Sequence, residues 1–587
     1  MPSKKRNYIG LAVTLHDPAL AIINSAGEVV FAEATERYLQ NKRAYNSVPD
    51  NLIRTPQLIK EYCEPDAELV IGISWSKRFM SQAKMVTDTA NLLSTVKFDP
   101  LFANQAATWP WITIKGTYTA MLGNMQQAAN NLTNYHAIKN KTTVKYYDHH
   151  LTHAATACYT SPFTEGACAT IDGLGETRSS DFFSYKDGKI KSILPPWTGT
   201  SMGSPGLSSG SLGYFYGTIC GLCGFDPIKG EEWKVMGLAS YGQYNQQLYA
   251  LLKSMIYVNG LKVVYDFRHH AQWIAKMRNL MRPPGSSPLE AADLAYNGQL
   301  VFEETMLDLL NNFYEQGISQ NLILGGGCAL NSSCNGILTE RTKFKRLHVS
   351  SAPGDDGNAI GAALLAYHED HPSAKPCPRI LSPYLGSGFS SETLANFIKF
   401  SQHEKICHLP GEVHKRAATL LADGKIVGWL QGRAEFGPRA LGNRSILADP
   451  RRSDMKDQIN ARIKFREEFR PFAPAILHEY GSDYFENYQE APYMERTLCF
   501  KPEMREKVPA VVHANQTGRL QTVKKEWSEK FYNLIEEFHQ LTGVPMILNT
   551  SYNVMGKPIV HSVEDALSVF YTTGLDALVI EDYLIEK

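Results

Sequence analysis

The chain of 587 residues carries 59 Lys and Arg against 59 Asp and Glu, with 43% hydrophobic and 20% charged residues. Balanced charge removes the bulk electrostatic drive toward nucleic acid or a membrane surface, and the globular composition excludes disordered, collagen-like and disulfide-scaffold chains. At about 150 residues per domain the length predicts roughly four structural units, or two if the units are large α/β domains.

The N-terminal residues Lys4-Lys-Arg6 resemble a signal n-region, but the apolar run Ile9–Leu15 is short and ends at His16-Asp17, so no h-region follows. No apolar run reaches the roughly 18–20 residues of a membrane helix. The ten cysteines are scattered as in intracellular proteins. A soluble, cytoplasmic protein is expected.

In chain order, Tyr8–Thr14, Ala19–Asn24 and Val29–Ala34 read as a strand meander with a turn at Ser25–Glu28. The pattern recurs at Gly166–Ile171, Asp181–Tyr185 and Ile190–Ile193, with a polar loop at Asp172-Gly-Leu-Gly-Glu176 and a turn at Lys186–Lys189. Two copies heading two large segments suggest an internal duplication, as in actin-like and sugar-kinase folds. Strands at Asn321–Gly325 and Leu347–Ser351, each followed by a glycine-rich loop and a helix, predict an α/β fold. His368–Gly388, with four prolines, has linker composition. The predicted domains are therefore 1–370 and 371–587, the second opening with a helix at Ser391 and a strand at Ile426–Leu430.

Three constellations carry chemistry. In Asp148-His-His-Leu-Thr-His153, His149 and His153 are four apart and share a helix face able to grip one ion, although such a pair can also merely cap or pack a helix start. Asp172 at a strand end and Asp355-Asp356 in a loop supply nearby carboxylates, a set suited to Fe(II), Mn(II) or Zn(II) rather than Ca(II). The turns Gly325–Gly327 and Gly354–Gly357 allow close ligand approach at helix starts, but no Walker A sequence is present. In the second domain, Arg439, Arg444, Lys464, Arg470 and Arg519 stand among Gly, Pro and Phe, with Asn549-Thr-Ser551 ending an apolar strand; together they suggest a polyanion site. Cys220-Gly-Leu-Cys223 has no second pair and reads as buried cysteine.

These motifs resemble the O-carbamoyltransferase family of nodulation, cephalosporin and nebramycin enzymes. The resemblance covers nearly the whole chain and rests on His149–Ala154, Lys234–Gly242, Gly325–Asn331, Ala352–Asn358, Gly437-Pro-Arg-Ala-Leu-Gly-Asn-Arg444, Phe469-Arg-Pro-Phe-Ala-Pro474 and Leu548–Ser551. It implies an actin-like, metal-containing first domain and a YrdC-like second domain. It further implies that carbamoyl phosphate and ATP, with Mg(II), give carbamoyl-adenylate, from which an alcohol on a small natural product (an antibiotic, nodulation factor or saxitoxin-like toxin) takes the carbamoyl group.

By the same resemblance His149, His153, Asp172 and Asp356 hold the metal, Fe(II) being the usual one, with Asp355 one residue away. His16 is the general base. Lys42, Gly327 and Asn331 contact the adenylate, and Arg439, Lys464, Arg470, Arg519, Asn549 and Ser551 hold carbamoyl phosphate and nucleotide. Pro18, where the family has a small polar residue, re-aims the His16 loop. Met80–Leu122, with Trp109-Pro-Trp111, reads equally as part of the acceptor pocket or as a peripheral helical insertion. A homodimer is the fold-level expectation for assembly. A tRNA threonylcarbamoyl enzyme would need a basic surface that the zero net charge disfavours, and a non-enzymatic ATP-binding switch would not need the second domain's arginines.

Overall fold

The computed structural model describes residues 5–93, 118–134, 138–195, 210–265, 276–400 and 405–587. Its first sheet contains β1 (Arg6–Ala12), β2 (Ala19–Ile23), β3 (Val29–Ala34), β4 (Glu68–Ile73) and β5 (Thr142–Tyr146), in the order β3-β2-β1-β4-β5. The first three strands run antiparallel, and β4 and β5 continue parallel to β1.

The second sheet contains β6 (Glu165–Ile171), β7 (Ser180–Lys186) and β8 (Lys189–Ser192). After a small hairpin, β9 (Ile256–Asn259) with β10 (Lys262–Tyr265), it is completed by β11 (Asn321–Gly325) and β12 (Arg346–Val349). Read from its other edge the order is β8-β7-β6-β11-β12, with the same alternation of antiparallel and parallel pairs. The predicted duplication is thus present, and it is the repeated five-stranded arrangement expected of an actin-like domain. The loop after β1 carries His16 and the loop after β6 carries Asp172, so these residues occupy equivalent corners of the two copies.

One helix, Asn358–Asp370, joins the copies. Its residues Ala359, Gly361, Ala362, Ala363 and Ala366 are small because both sides are crowded. A Cβ at Gly10 of β1 would lie 1.7 Å from the Ala359 carbonyl oxygen, and one at Gly361 would lie 2.0 Å from that of Thr152. The helix is therefore wedged between the first sheet and the helix His149–Tyr159, an arrangement that only small side chains permit.

The second domain is built on a nine-stranded mixed sheet. Its strands are β13 (Ile406–His408), β14 (Val427–Leu430), β15 (Arg444–Ala448), β16 (Ala473–Leu477), β17 (Arg496–Cys499), β18 (Thr517–Val523), β19 (Met546–Ser551), β20 (Ala577–Ile580) and β21 (Tyr583–Glu586). Their order is β13-β21-β20-β14-β15-β19-β16-β18-β17. An apolar cluster running from Leu394 to Ile585, with Trp429, Phe531, Phe538 and Phe570, forms a core separate from those of the first domain. Directly opposed residues share a sheet face. The pairs Ser445↔Ser551, Leu447↔Asn549, Ala473↔Asn549 and Ala475↔Gln521 therefore place Ser551, Asn549, Gln521 and Arg519 on one face.

The domains interlock. Gly336 of the helix Ser332–Arg341 abuts the Thr497 carbonyl of β17, where a Cβ would approach to 2.0 Å. Asn335 donates to the Glu495 carbonyl at 2.9 Å, Lys234 pairs with Glu467 at 2.9 Å, and Arg37 donates to the Gly437 carbonyl at 2.6 Å. Of the predicted Met80–Leu122 segment, residues 80–93 continue a helix begun at Lys77, and Tyr118 and Met121 pack into the first sheet's core; Trp109 and Trp111 lie outside the described residues. Among the described residues no helix is long and apolar enough to cross a membrane.

Candidate functional site

The helix His149–Tyr159 begins at Asp148, whose carboxylate caps it by accepting from the Leu151 amide at 3.0 Å. The first two turns then direct His149 and His153 to one side, as the four-residue spacing predicts. Asp172 reaches the same point from the end of β6, and the Asp355–Gly357 turn reaches it from the start of the wedged helix.

His149 Nε2 lies 3.3 Å from Asp172 Oδ2 and 3.6 Å from Asp355 Oδ1. His153 Nε2 lies 3.5 and 3.4 Å from the same two oxygens. One ligand atom from each of the four residues falls within 4.8 Å of every other. Burial pulls the His153 imidazolium down, but Asp172 and Asp355 outweigh it and hold the group at about 9. Burial wins at His149, whose pKa is lowered.

The sequence reading named Asp356 in this set, and the structure corrects it. Asp356 turns away, its Oδ1 accepting from the Gly357 amide at 3.0 Å. Burial, with the charges of Asp17, Glu36 and Asp355, pushes it up to about 7. It faces carboxylates rather than imidazoles.

The donor set fits a divalent transition metal. His153 Nε2 is buried without a well-formed hydrogen bond, although it points at two carboxylates. Asn358 lies 3.4 Å from His149 Nδ1 through its amide nitrogen, while its own Oδ1 is buried and unpartnered. Turning that amide over would satisfy Oδ1 with Nδ1–H and leave His149 Nε2 free as a ligand. Trp75 stacks on His149 at 4.0 Å and 17°, fixing the ring plane. Trp75 and Asn358 were not read as site residues: Trp75 lies outside every motif, and in the Ala352–Asn358 loop only the two aspartates stand as candidate ligands.

His16 sits beside this cluster. Its Nδ1 is 2.9 Å from Asp17 Oδ2 and 3.8 Å from Asp355 Oδ2. Burial pushes Asp17 up, but Arg43, at 2.9 Å, and His16 outweigh it and hold the carboxyl well below the usual range. Lys42 is exposed near Glu36 and Arg470. The Gly327 amide donates to Asp172 Oδ1 at 3.0 Å, so it orients a member of the four-residue cluster. Asn331, expected at the adenylate, is instead occupied internally: Oδ1 caps the helix Ser332–Arg341 at the Cys334 amide, and the amide pairs with Gln299 at 3.0 and 3.1 Å.

The second cluster lies over the polar face of the nine-stranded sheet. Lys464 is 2% exposed and its ammonium binds the carbonyl and hydroxyl of Ser551 and the carbonyl and Oδ1 of Asn553. Arg439 is held down at about 10 by burial. Burial and then the charges of Arg439, Arg466 and Arg470 push Arg519 well below its usual range. Arg466 is likewise lowered by burial and by Arg470. Buried N–H groups of Arg466, Arg470 and Arg519 lack partners.

Arg470 packs over Trp233 of the first domain at 4.0 Å and pairs with Glu467 at 3.2 Å, so the cluster borders the domain interface. Arg466 was missed in the sequence, though it stands two residues after Lys464. Arg444 has a different place: it is fully buried and donates to the carbonyls of Gln431, Asn443, Ser387 and Gly432. Cys220 and Cys223 are buried in an apolar core, as read.

The whole chain has relatives. A protein of Synechocystis sp., itself called uncharacterized, is 33% identical over 99% of this chain and 97% of its own length. Nodulation protein NolO of Bradyrhizobium diazoefficiens is 34% identical over 75% of this chain and 79% of its own, and nodulation protein U of Sinorhizobium fredii is 27% identical over 93% and 94%. Among solved structures, HypF of T. kodakarensis aligns with a TM-score of 0.30 at 11% identity, covering 64% of this chain and 49% of that one. The activator of 2-hydroxyisocaproyl-CoA dehydratase from Clostridium difficile aligns with a TM-score of 0.31 at 12% identity, covering 62% and 96%. The family model described as carbamoyltransferase N-terminus matches residues 7–364, the span of the duplicated sheets and the His–Asp cluster, and that described as carbamoyltransferase C-terminus matches 418–587, the span of the cation cluster. The chain therefore belongs to the carbamoyltransferase family.

Proposed function

We propose that the protein is an ATP-dependent O-carbamoyltransferase in which residues 371–587, of YrdC-like type, make carbamoyl-adenylate and residues 1–370 transfer its carbamoyl group to an alcohol. The observation that carries this reading is the cation cluster. Arg439, Lys464, Arg466, Arg470 and Arg519 are depressed by burial, and Lys464, Arg466 and Arg519 are depressed by the charge of neighbouring cations as well, whereas Glu467 and Glu231 partly offset the effect at Arg470. Several of their N–H groups lack partners. Such an arrangement is relieved by a multiply charged anion.

Carbamoyl phosphate, ATP and water would give carbamoyl-adenylate, phosphate and pyrophosphate. Arginines and Lys464 hold the phosphate oxygens in line and stabilise the charge on the departing pyrophosphate. In the first domain His149, His153, Asp172 and Asp355 would hold a divalent ion, Fe(II) being the family expectation, which supplies electrostatic grip on the adenylate phosphate. His16 then takes the proton of the attacking hydroxyl. Its Nδ1–H is committed to the ionised Asp17, so Nε2 is the basic nitrogen. The hydroxyl oxygen bonds to the carbamoyl carbon, the C–O bond to phosphate breaks, and AMP leaves. The acceptor is taken to be a hydroxylated natural product.

The test is carbamoyl-phosphate-dependent exchange of labelled pyrophosphate into ATP. Arg470→Ala abolishes exchange, whereas His16→Ala keeps exchange and loses transfer to an alcohol. Exchange blocked in His16→Ala, with transfer from supplied carbamoyl-adenylate intact, would reverse the assignment of steps to domains.

A further inference from the structure

Two short segments of the first domain are held in a backbone conformation that few side chains favour. Asp17, Gln40, Arg43, Ala44 and Asn46 all have positive φ, between 39° and 60°. Asp and Asn tolerate that region, whereas Arg43 and Ala44 gain nothing from it. Such strain persists only where the surroundings impose it, and it gathers at functional sites. Here the surroundings are the His16 loop. The Asp17 amide donates to the Arg43 carbonyl at 2.8 Å and the Asn46 amide to the Leu15 carbonyl at 3.0 Å, so the two segments brace each other on either side of His16.

From this placement the Arg43 guanidinium reaches two further groups. Nε and Nη2 donate to Asp17 Oδ2 at 3.1 and 2.9 Å, and Nη1 donates to the Ile228 carbonyl at 3.0 Å. The Tyr45 hydroxyl donates to the same carbonyl, and its ring meets His16 edge-on at 5.9 Å. Asp17 Oδ2 is also the atom 2.9 Å from His16 Nδ1. An ionised carboxylate only accepts, so Nδ1 carries the proton, whereas a neutral imidazole without such a partner favours the proton on Nε2. The pairing has a rival, since Asp355 Oδ2 lies 3.8 Å from the same Nδ1 and Asp355 belongs to the His–Asp cluster. Arg43 decides between them by holding Asp17 where His16 can use it. Without the guanidinium, Asp17 would face the charges of Asp356 and Glu232 alone and, being 28% exposed, would turn toward water.

We propose that Arg43 is a positioning residue for the transfer step: by clamping Asp17 and the Ile228 carbonyl together it fixes His16 as the Nδ1–H tautomer and leaves Nε2 free to take the acceptor's proton. The proposal rests on the reading that His16 is the base, and it names the group that holds that base in its otherwise disfavoured tautomer. Lysine cannot replace arginine here, because a single ammonium lacks the planar fork that serves a carboxylate and a carbonyl at once.

Long-range nitrogen–proton correlation spectra of the full chain with isotope-labelled histidine test it, at a pH of about 8.5 where imidazole is neutral. The His16 signals are those lost in His16→Gln. In the unaltered protein the Nδ1–H tautomer of His16 outweighs Nε2–H at least about tenfold. Arg43→Met brings the two within about threefold of each other, and Arg43→Lys does not restore the ratio. Tyr45→Phe removes a bond to the Ile228 carbonyl but none to Asp17, and leaves the ratio within about twofold of the unaltered protein. His16 found as Nε2–H in the unaltered protein, or its preference kept in Arg43→Met, overturns the proposal. A ratio lost equally in Tyr45→Phe also overturns it, because the clamp would then be only a tie between loops. Carbamoyl-phosphate-dependent pyrophosphate exchange by the unaltered protein is measured alongside: its absence overturns the carbamoyl-adenylate reading without altering the tautomer, and a wrong tautomer leaves that reading standing.

Discussion

At Asp355 and Asp356 the chain enters a helix through a tight turn, and successive side chains of such a turn leave in different directions. Asp355 divides its two oxygens between His153, at 3.4 Å, and His16, at 3.8 Å, while Asp356 hydrogen-bonds its own following amide. Asp355→Asn is therefore expected to lower Fe(II) or Mn(II) affinity at least about 10-fold, read by competition with a chromogenic chelator. Asp356→Asn should leave it within about twofold, and the opposite ranking would return Asp356 to the set. The sequence placed both carboxylates at the site, because Gly-Asp-Asp-Gly between strand and helix has few other uses. It could not choose between them, since the choice is a matter of side-chain direction set by how the wedged helix packs.

Among the elements, the helix His149–Tyr159 does most to build the first cluster, and its start is set by Asp148. Removing that cap with Asp148→Ala should cost about 1 kcal/mol of stability, seen in denaturant unfolding. It should also loosen metal binding, because the frayed turn is the one that presents His149. Ser562→Ala removes a capping box at the helix Val563–Thr572, which contributes no residue to the His–Asp cluster, and should cost a similar amount with metal affinity unchanged. Equal metal effects from both variants would show a general loss of stability instead. The strands that were read, such as Val29–Ala34 and Asn321–Gly325, were legible to within a residue or two because apolar runs bounded by Gly and Asp turns mark them, whereas β4, β5 and most strands of the nine-stranded sheet were not read. The π-helical turn Asn460–Lys464, which aims Lys464 inward, was not legible, because the sequence carries no period that distinguishes it from an ordinary helix end.

For the whole molecule, the fit of the two domains is held in part by Glu33 of β3. It accepts from Arg54, from Ser387 and, at 3.1 Å, from His561 of the second domain. Burial pushes Glu33 up, but His561 and Arg54 outweigh it and bring it from 4.5 to about 2. A carboxyl lowered in the folded state stabilises fully above its unfolded value and loses that contribution as pH falls toward the folded one. Acidification between about 4.5 and about 2 should therefore loosen the domains, seen as faster proteolysis between them, and Glu33→Gln should flatten that dependence. An unchanged pH profile in Glu33→Gln would place the acid sensitivity elsewhere. Gly336 makes the same interface sterically exacting, since no side chain fits against Thr497.

The sequence by itself determined the α/β class, the duplicated strand pattern and the residue types of both clusters, because strand periodicity, turn chemistry and charged residues embedded among Gly, Pro and Phe are local properties. The tertiary structure decided what depends on approach between distant segments. It chose Asp355 over Asp356, assigned Asn331 to a helix cap and Arg444 to a buried knot of carbonyls, and added Arg466 to the cation cluster. It also brought Arg43 to the Asp17 carboxylate and to the Ile228 carbonyl, 26 and 185 residues away, an approach that no spacing in the chain could announce.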